Sequence, residues 1–288
     1  MRPQIAIVFL TTLTPLAQGD EPKGPTAYRV AVDGNIKITT DQNNTVTRHT
    51  QAELDYRVAR TKDGVEVGID RFGFRITANN QELDHVEMNR SRITSRRIDR
   101  PIDIRRNDAP PAILPLFAQF DPPLVTLKLD AEGAEQSRKA RDEGGPLLGS
   151  RVVDLCRLFH PRFPKNESKW ETPVVIPFGR GQHANGVLRY SKRPADEKDG
   201  LVAVDVTGFL KVTGTHDAAE IKRGDYKVSG RQTFDTAANE WSSGKLIVAI
   251  SFDALLPNGR TFHGGGPATY TLARRDLAAK TKSAKKKP

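Results

Sequence analysis

Apolar and polar residues alternate with a period of two through most of this chain, and that pattern restricts what it can fold into. Tyr28-Arg-Val-Ala-Val32 alternates, Asp33-Gly34 reads as a turn, and Ile36-Lys-Ile38 alternates again. Leu54-Asp-Tyr-Arg-Val58 repeats the theme, and Lys62-Asp63-Gly64 leads into Val65-Glu-Val-Gly-Ile69 and residues 72–77. A period of two belongs to a strand with one face toward a core and the other toward water. Asp-Gly tolerates the positive backbone angles of a tight hairpin. Further runs fall at 125–129, 174–178, 187–190, 201–206, 209–212, 226–228, 245–252 and 268–272. The expected fold is mainly β: curved antiparallel sheets, two or one long one, in two halves that read as a duplication, with one or two short helices.

The duplication rests on one echo. Residues 62–77 align without gaps on residues 198–213, and Leu54-Asp-Tyr56 matches Leu188-Arg-Tyr190 once the second loop is two residues longer. Two stretches break the alternation. Leu148, Val152, Leu155, Cys156 and Phe159 recur at helical spacing, which predicts a helix over 148–159 stopped by Pro161 and Pro164. Residues 112–120 predict a shorter helix, broken at Pro115. Residues 88–106 hold seven arginines, and Asp108-Ala-Pro-Pro111 marks a break, so the halves are divided near residue 110.

The chain begins like a secretory leader. Arg2 precedes the apolar run Ile5-Ala-Ile-Val-Phe-Leu10, and the small residues Ala17 and Gly19 precede Asp20-Glu21. This predicts a signal peptide at 1–19, with export to the periplasm or beyond. The apolar run is too short to span a bilayer comfortably. The expected organisation is then an N-terminal β-meander at 20–110, a C-terminal β-rich half at 111–275 and a disordered tail at 276–288.

Charge is concentrated in that tail. Residues 274–288 carry seven basic residues against Asp276, a net of +6 out of +10 for the chain. Lys280, Lys282, Lys285, Lys286 and Lys287 are the expected anion contacts, unspecific and weakened by salt. The arginine stretch is interleaved with Asp99, Asp103 and Asp108 and has no aromatic platform, which favours solvated strand faces and local ion pairs over a nucleic-acid site. Cys156 is the sole cysteine, so no intrachain disulfide can form, and it reads as a small buried hydrophobe.

No catalytic signature stands out. The six histidines lie far apart in sequence without metal-ligand spacing, so neither a metal nor a cofactor is expected from local motifs. His263-Gly-Gly-Gly266 echoes an oxyanion loop but lacks a Gly-x-Ser-x-Gly elbow, and reads as a hairpin loop. Gly179-Arg-Gly-Gln-His-Ala184 is followed by a strand rather than the helix a dinucleotide site needs. Asp130, Glu132 and Asp235 read as turn formers. A site could still be assembled from distant residues, for example His160 or His183 near Asp205.

Phe159-His-Pro-Arg-Phe-Pro164, Trp170, Gly230-Arg-Gln-Thr-Phe-Asp235 and Trp241-Ser-Ser-Gly244 resemble a pattern in uncharacterised exported bacterial β-rich domains of the planctomycete type. The resemblance spans residues 124–272. It departs from that pattern at Ser168-Lys169, where the family has Gly-Asp. It implies a curved antiparallel sheet and carries no activity or catalytic residues. Together these readings predict an exported, non-enzymatic envelope protein that binds a partner or an apolar ligand on a curved sheet. An envelope hydrolase and an adhesin acting through the lysine tail are the alternatives.

Overall fold

The structure is a computed structural model that describes residues 24–42, 44–62, 64–97, 100–129, 135–140, 158–179, 182–216 and 219–275. Residues 1–19, predicted as a leader, and Cys156, Asp130, Glu132 and the lysines of 280–287 lie outside the described residues. So does the predicted 148–159 helix up to its last two residues, Leu158 and Phe159, which are helical.

The elements in order are β1 (Thr26–Thr40), β2 (Thr45–Thr61), β3 (Gly64–Ala78), β4 (Gln81–Asn89), β5 (Arg92–Arg97), β6 (Arg100–Arg105), a 3-10 turn (Arg106–Asp108) and α1 (Leu114–Ala118). After these come β7 (Val125–Leu129), β8 (Glu135–Ala140), β9 (Lys169–Gly179), β10 (Gln182–Lys198) and β11 (Leu201–Thr213). The last are β12 (Thr215–His216), β13 (Ala219–Asp235), β14 (Glu240–Leu255) and β15 (Thr261–Arg275). Pro115 sits in the first turn of α1, where its missing N–H costs nothing, so it opens the helix rather than breaking it. No described helix is long and apolar enough to cross a membrane.

All fifteen strands belong to one open, curved antiparallel sheet. Its main path runs β9-β10-β11-β13-β14-β15-β1-β2-β3-β4-β5-β6. Two six-stranded meanders therefore run in the same direction, and β15 of the second pairs with β1 of the first. The echoed segments occupy equivalent places: β2 and β3 are second and third in one meander, β10 and β11 in the other. Leu54, Tyr56, Leu188 and Tyr190 are all buried. The gapless alignment holds only beyond a bulge in β3, where Asp55 faces Arg71 but Tyr56 faces Ile69. Nearer the turn the two meanders are one residue out of step, and a one-residue slip exchanges faces. Buried Val65, Val67 and Ile69 thus correspond to Val202, Val204 and Val206.

Cross-strand register makes one face of the sheet mainly apolar, with Arg48 beside Ile36 among its few charged residues. Phe72, Leu54, Val30, Leu272 and Gly244 form one row, and Val67, Val58 and Thr26 belong to another. Two segments cover part of this face. In the first, Phe117, Phe120 and Leu124 are buried, the Leu124 amide donates to Val67 O, and Asp121 is held by Arg90 and Arg106. In the second, Phe163 stacks on Phe234 with centroids 3.9 Å apart and meets Trp170 and Trp241 edge-on. Trp241 Nε1 donates to Pro161 O at 2.9 Å, and Gln232 Nε2 to Phe159 O at 3.3 Å. Burying these aromatic rings adds to the aliphatic core of the sheet.

Candidate functional site

The covered end of the apolar face holds His160, the one buried histidine among the described residues. His160 Nε2 lies 2.7 Å from the Tyr56 hydroxyl, the separation of a hydroxyl donating to a neutral imidazole. Tyr28 packs edge-on against the same ring at 4.6 Å. Burial pushes the His160 pKa down to about 3. Beside it, the β13–β14 hairpin is laced to the other meander. Glu240 accepts from Thr26 and Tyr28 of β1; within its own meander Asp235 accepts from Arg274 of β15 and, as a turn former does, from the Ala238 amide.

Toward the hairpins that join β1 to β2, β3 to β4 and β14 to β15, the same face continues without a described cover. Ile36, Ile38, Phe74, Ile76, Phe252 and Phe262 are only half-buried and fall outside the buried cluster. Val46 and Ile102 are 39% and 43% exposed. Phe252 lies over Gly264, where a Cβ would come within 2.2 Å of its ring. The Gly264-Gly265-Gly266 run is therefore part of β15 and makes room for an aromatic ring. It is not the hairpin loop expected from the sequence.

The opposite face is polar and hollowed. A trough of about 400 Å³ crosses β15, β1, β2, β3 and β4. One cross-strand row on its floor reads Thr271, Ala31, Glu53, Gly73, Glu87, and the next reads Thr269, Asp33, Gln51, Arg75, His85. Arg71 lies 3.5 Å from Glu53 and 3.2 Å from Glu87, Arg75 pairs with Glu82, and Asp33 pairs with His49. A second hollow of about 430 Å³ shares His85 and Glu87 and extends over β5 and β6, where Arg92 pairs with Asp103. At the seam between the meanders Asp55 takes Arg29 in a two-pronged contact at 2.7 and 2.9 Å, and Arg275 at 2.9 Å. These guanidiniums hold the Asp55 carboxyl below the usual range although burial opposes them.

The residues singled out from the sequence are not gathered into a catalytic centre. His160 is on the apolar face with Tyr56, whereas Asp205 pairs with Arg231 and Arg193. His183 contacts Thr213, far along β10 from Ser191, the residue that faces Asp205. His263 Nδ1 lies 2.6 Å from Asp253 in an exposed pair. The His216 side chain, like Lys280, Lys282, Lys285, Lys286 and Lys287, is outside what is described. Among the described residues no three His, Cys, Asp or Glu side chains gather as a metal site requires. Sequence reasoning missed the trough, because Glu53, Gly73 and Glu87 meet only through strand register. The available signal was a glycine in the apolar alternation Phe72-Gly-Phe74.

No protein-family model matches the chain, and no curated protein matches it. Among solved structures, one described as "Lipid-protein interactions in lipovitellin" is similar over 87% of this chain at 10% identity, with a TM-score of 0.48. This chain spans about a quarter of that structure's length, 25% of its residues.

Proposed function

We propose that this is an exported, non-catalytic envelope protein that holds an apolar ligand against the uncovered end of its sheet, in keeping with its resemblance to exported β-rich domains. One observation carries the reading. The apolar face does not stop where its covering segments stop, but continues through Ile36, Ile38, Phe74, Ile76, Phe252 and Phe262 to exposed Val46 and Ile102. Contiguous exposed apolar surface is costly and marks binding surfaces in soluble proteins. Pocket walls that bind apolar molecules are built from such aliphatic and aromatic side chains.

The test is titration of the full chain with a dansyl-labelled fatty acid, read by fluorescence. Phe74→Glu and Phe252→Glu place a charge on the uncovered end at half-exposed positions, and each should weaken binding by about tenfold or more. Phe209→Glu, on the polar face at a residue 42% exposed, should leave binding unchanged. Absence of probe binding, or equal binding by all four proteins, would sink the proposal.

A further inference from the structure

Arg48 stands in the middle of the uncovered apolar surface. Its register partners are Ile36 on β1 and Ala78 on β3. The row nearer the hairpins holds Phe252, Gly264, Ile38 and Val46, and the row on the other side holds Ala268, Gly34, Thr50 and Ile76. Directly opposed residues of an antiparallel pair project from one face, so the Arg48 side chain rises from the same surface as Ile36.

Nothing described in the chain engages this cation. Other basic side chains on the apolar face have partners. Lys192, opposite buried Val204, donates to Pro164 O and Lys165 O. Arg60, opposite buried Val65, donates to Asn239 O, and Arg274, opposite buried Tyr28, donates to Asp235. Arg48 is exposed, and among the described residues no hydrogen bond or ion pair reaches it. Asp84, which faces Ile76 on the same side of the sheet, is not paired with it. Sites for apolar molecules combine an aliphatic and aromatic lining with a few polar groups that fix orientation, and Arg48 is such a group within such a lining.

We infer that the ligand of the uncovered apolar surface is a long-chain carboxylate, with its chain over Ile36, Ile38 and Phe252 and its head on Arg48. The inference rests on the apolar-ligand reading above and names the class of that ligand. A guanidinium takes both oxygens of a carboxylate through parallel N–H bonds. An exposed pair of this kind contributes little in water, but a chain that covers the neighbouring side chains also removes water from the pair and strengthens it. One unpaired cation matches one head charge.

The test titrates the full chain with a dansyl-labelled fatty acid and with its methyl ester, which keeps the chain and lacks the charge. The unaltered protein should bind the acid about tenfold more tightly than the ester. Arg48→Gln should bring the acid down to the level of the ester and leave the ester unchanged, and Arg48→Glu should reverse the preference. Lys37→Gln removes an equal charge from the opposite face of the adjoining strand, at an exposed residue paired with Thr47, and should keep the preference. Urea midpoints establish that each variant is folded. If neither probe binds, the apolar surface is not a ligand site and this inference falls with it. If acid and ester bind equally, or if Arg48→Gln still prefers the acid, the surface holds a neutral ligand and the carboxylate assignment is overturned while the apolar reading stands. Lys37→Gln weakening the acid as much as Arg48→Gln would reduce the effect to net charge and overturn it as well.

Discussion

His160 makes the stability of this protein depend on acid in a way that can be worked from the structure. Its imidazole is buried against Tyr28 and Tyr56 on the segment that fills the covered end of the sheet, and its pKa is lowered from 6.5 to about 3. The unfolded chain binds a proton at this residue below pH 6.5, but the folded chain does not until about pH 3. The contribution is therefore fully present above pH 6.5 and is lost as pH falls toward 3. At 1.36 kcal/mol per unit, the loss reaches about 2–3 kcal/mol at pH 4.5. Stopping there matters, because Asp55 and Asp235 are held below their ordinary value of 3.8 and lose stability only at lower pH. The assay is urea unfolding at pH 7.5, 6.5, 5.5 and 4.5, followed by fluorescence of Trp170 and Trp241, both buried beside the same segment. His160→Gln retains an acceptor for Tyr56 but cannot titrate, and subtracting it removes the exposed histidines from the comparison. Wild type should lose about 2–3 kcal/mol more than the variant between pH 6.5 and 4.5. Parallel curves for the two proteins would refute the reasoning.

Two further outcomes follow from the strand register. Asp55→Ala leaves Arg29 and Arg275 facing one another at the seam of the meanders; because both guanidiniums are about a third exposed, at 35% and 34%, the cost is about 2 kcal/mol rather than that of a fully buried pair, and urea midpoints would reveal it. Gly186→Ala drives a Cβ toward Phe209 O and should destabilise by about 1–3 kcal/mol, measurable by the same denaturation, where Gly73→Ala, whose Cβ meets only ordinary contacts, should not.

Legibility in the sequence varied with the range of the interaction. The turn before Gly64 was readable because turn chemistry and a two-residue period are local, but Asp33-Gly34, which also reads as a turn, lies inside β1, which runs unbroken from Thr26 to Thr40 because β15 and β2 stay paired to it on either side. Strand lengths were not readable. Runs 201–206 and 209–212 read as separate, yet β11 continues through Gly208, since its neighbours Leu188 and Val228 hold the ladder across a residue with no side chain. The arginine stretch read as solvated strand faces and local ion pairs, and much of it forms β5 and β6, with Arg92 paired to Asp103 across the hairpin. Of the two faces, the apolar one was implied by the pattern. The trough was not, because Glu53 and Glu87 are separated by thirty-odd residues and share a floor only through β3.

The sequence by itself determined that this chain makes antiparallel strands with one apolar face, since side-chain period and turn chemistry are properties of neighbouring residues. It also located the positive charge and left the stability to packing, because one cysteine cannot cross-link the chain. Only the tertiary structure decided that the two meanders join edge to edge through β15 and β1 rather than stacking as separate sheets. It alone decided that His160 is buried beside Tyr56, that Phe252 covers Gly264, and that Arg71 joins Glu53 to Glu87 in a charged trough. These depend on register and on which segments lie over which face. Both are set by contacts between residues far apart in the chain, and no local pattern encodes them.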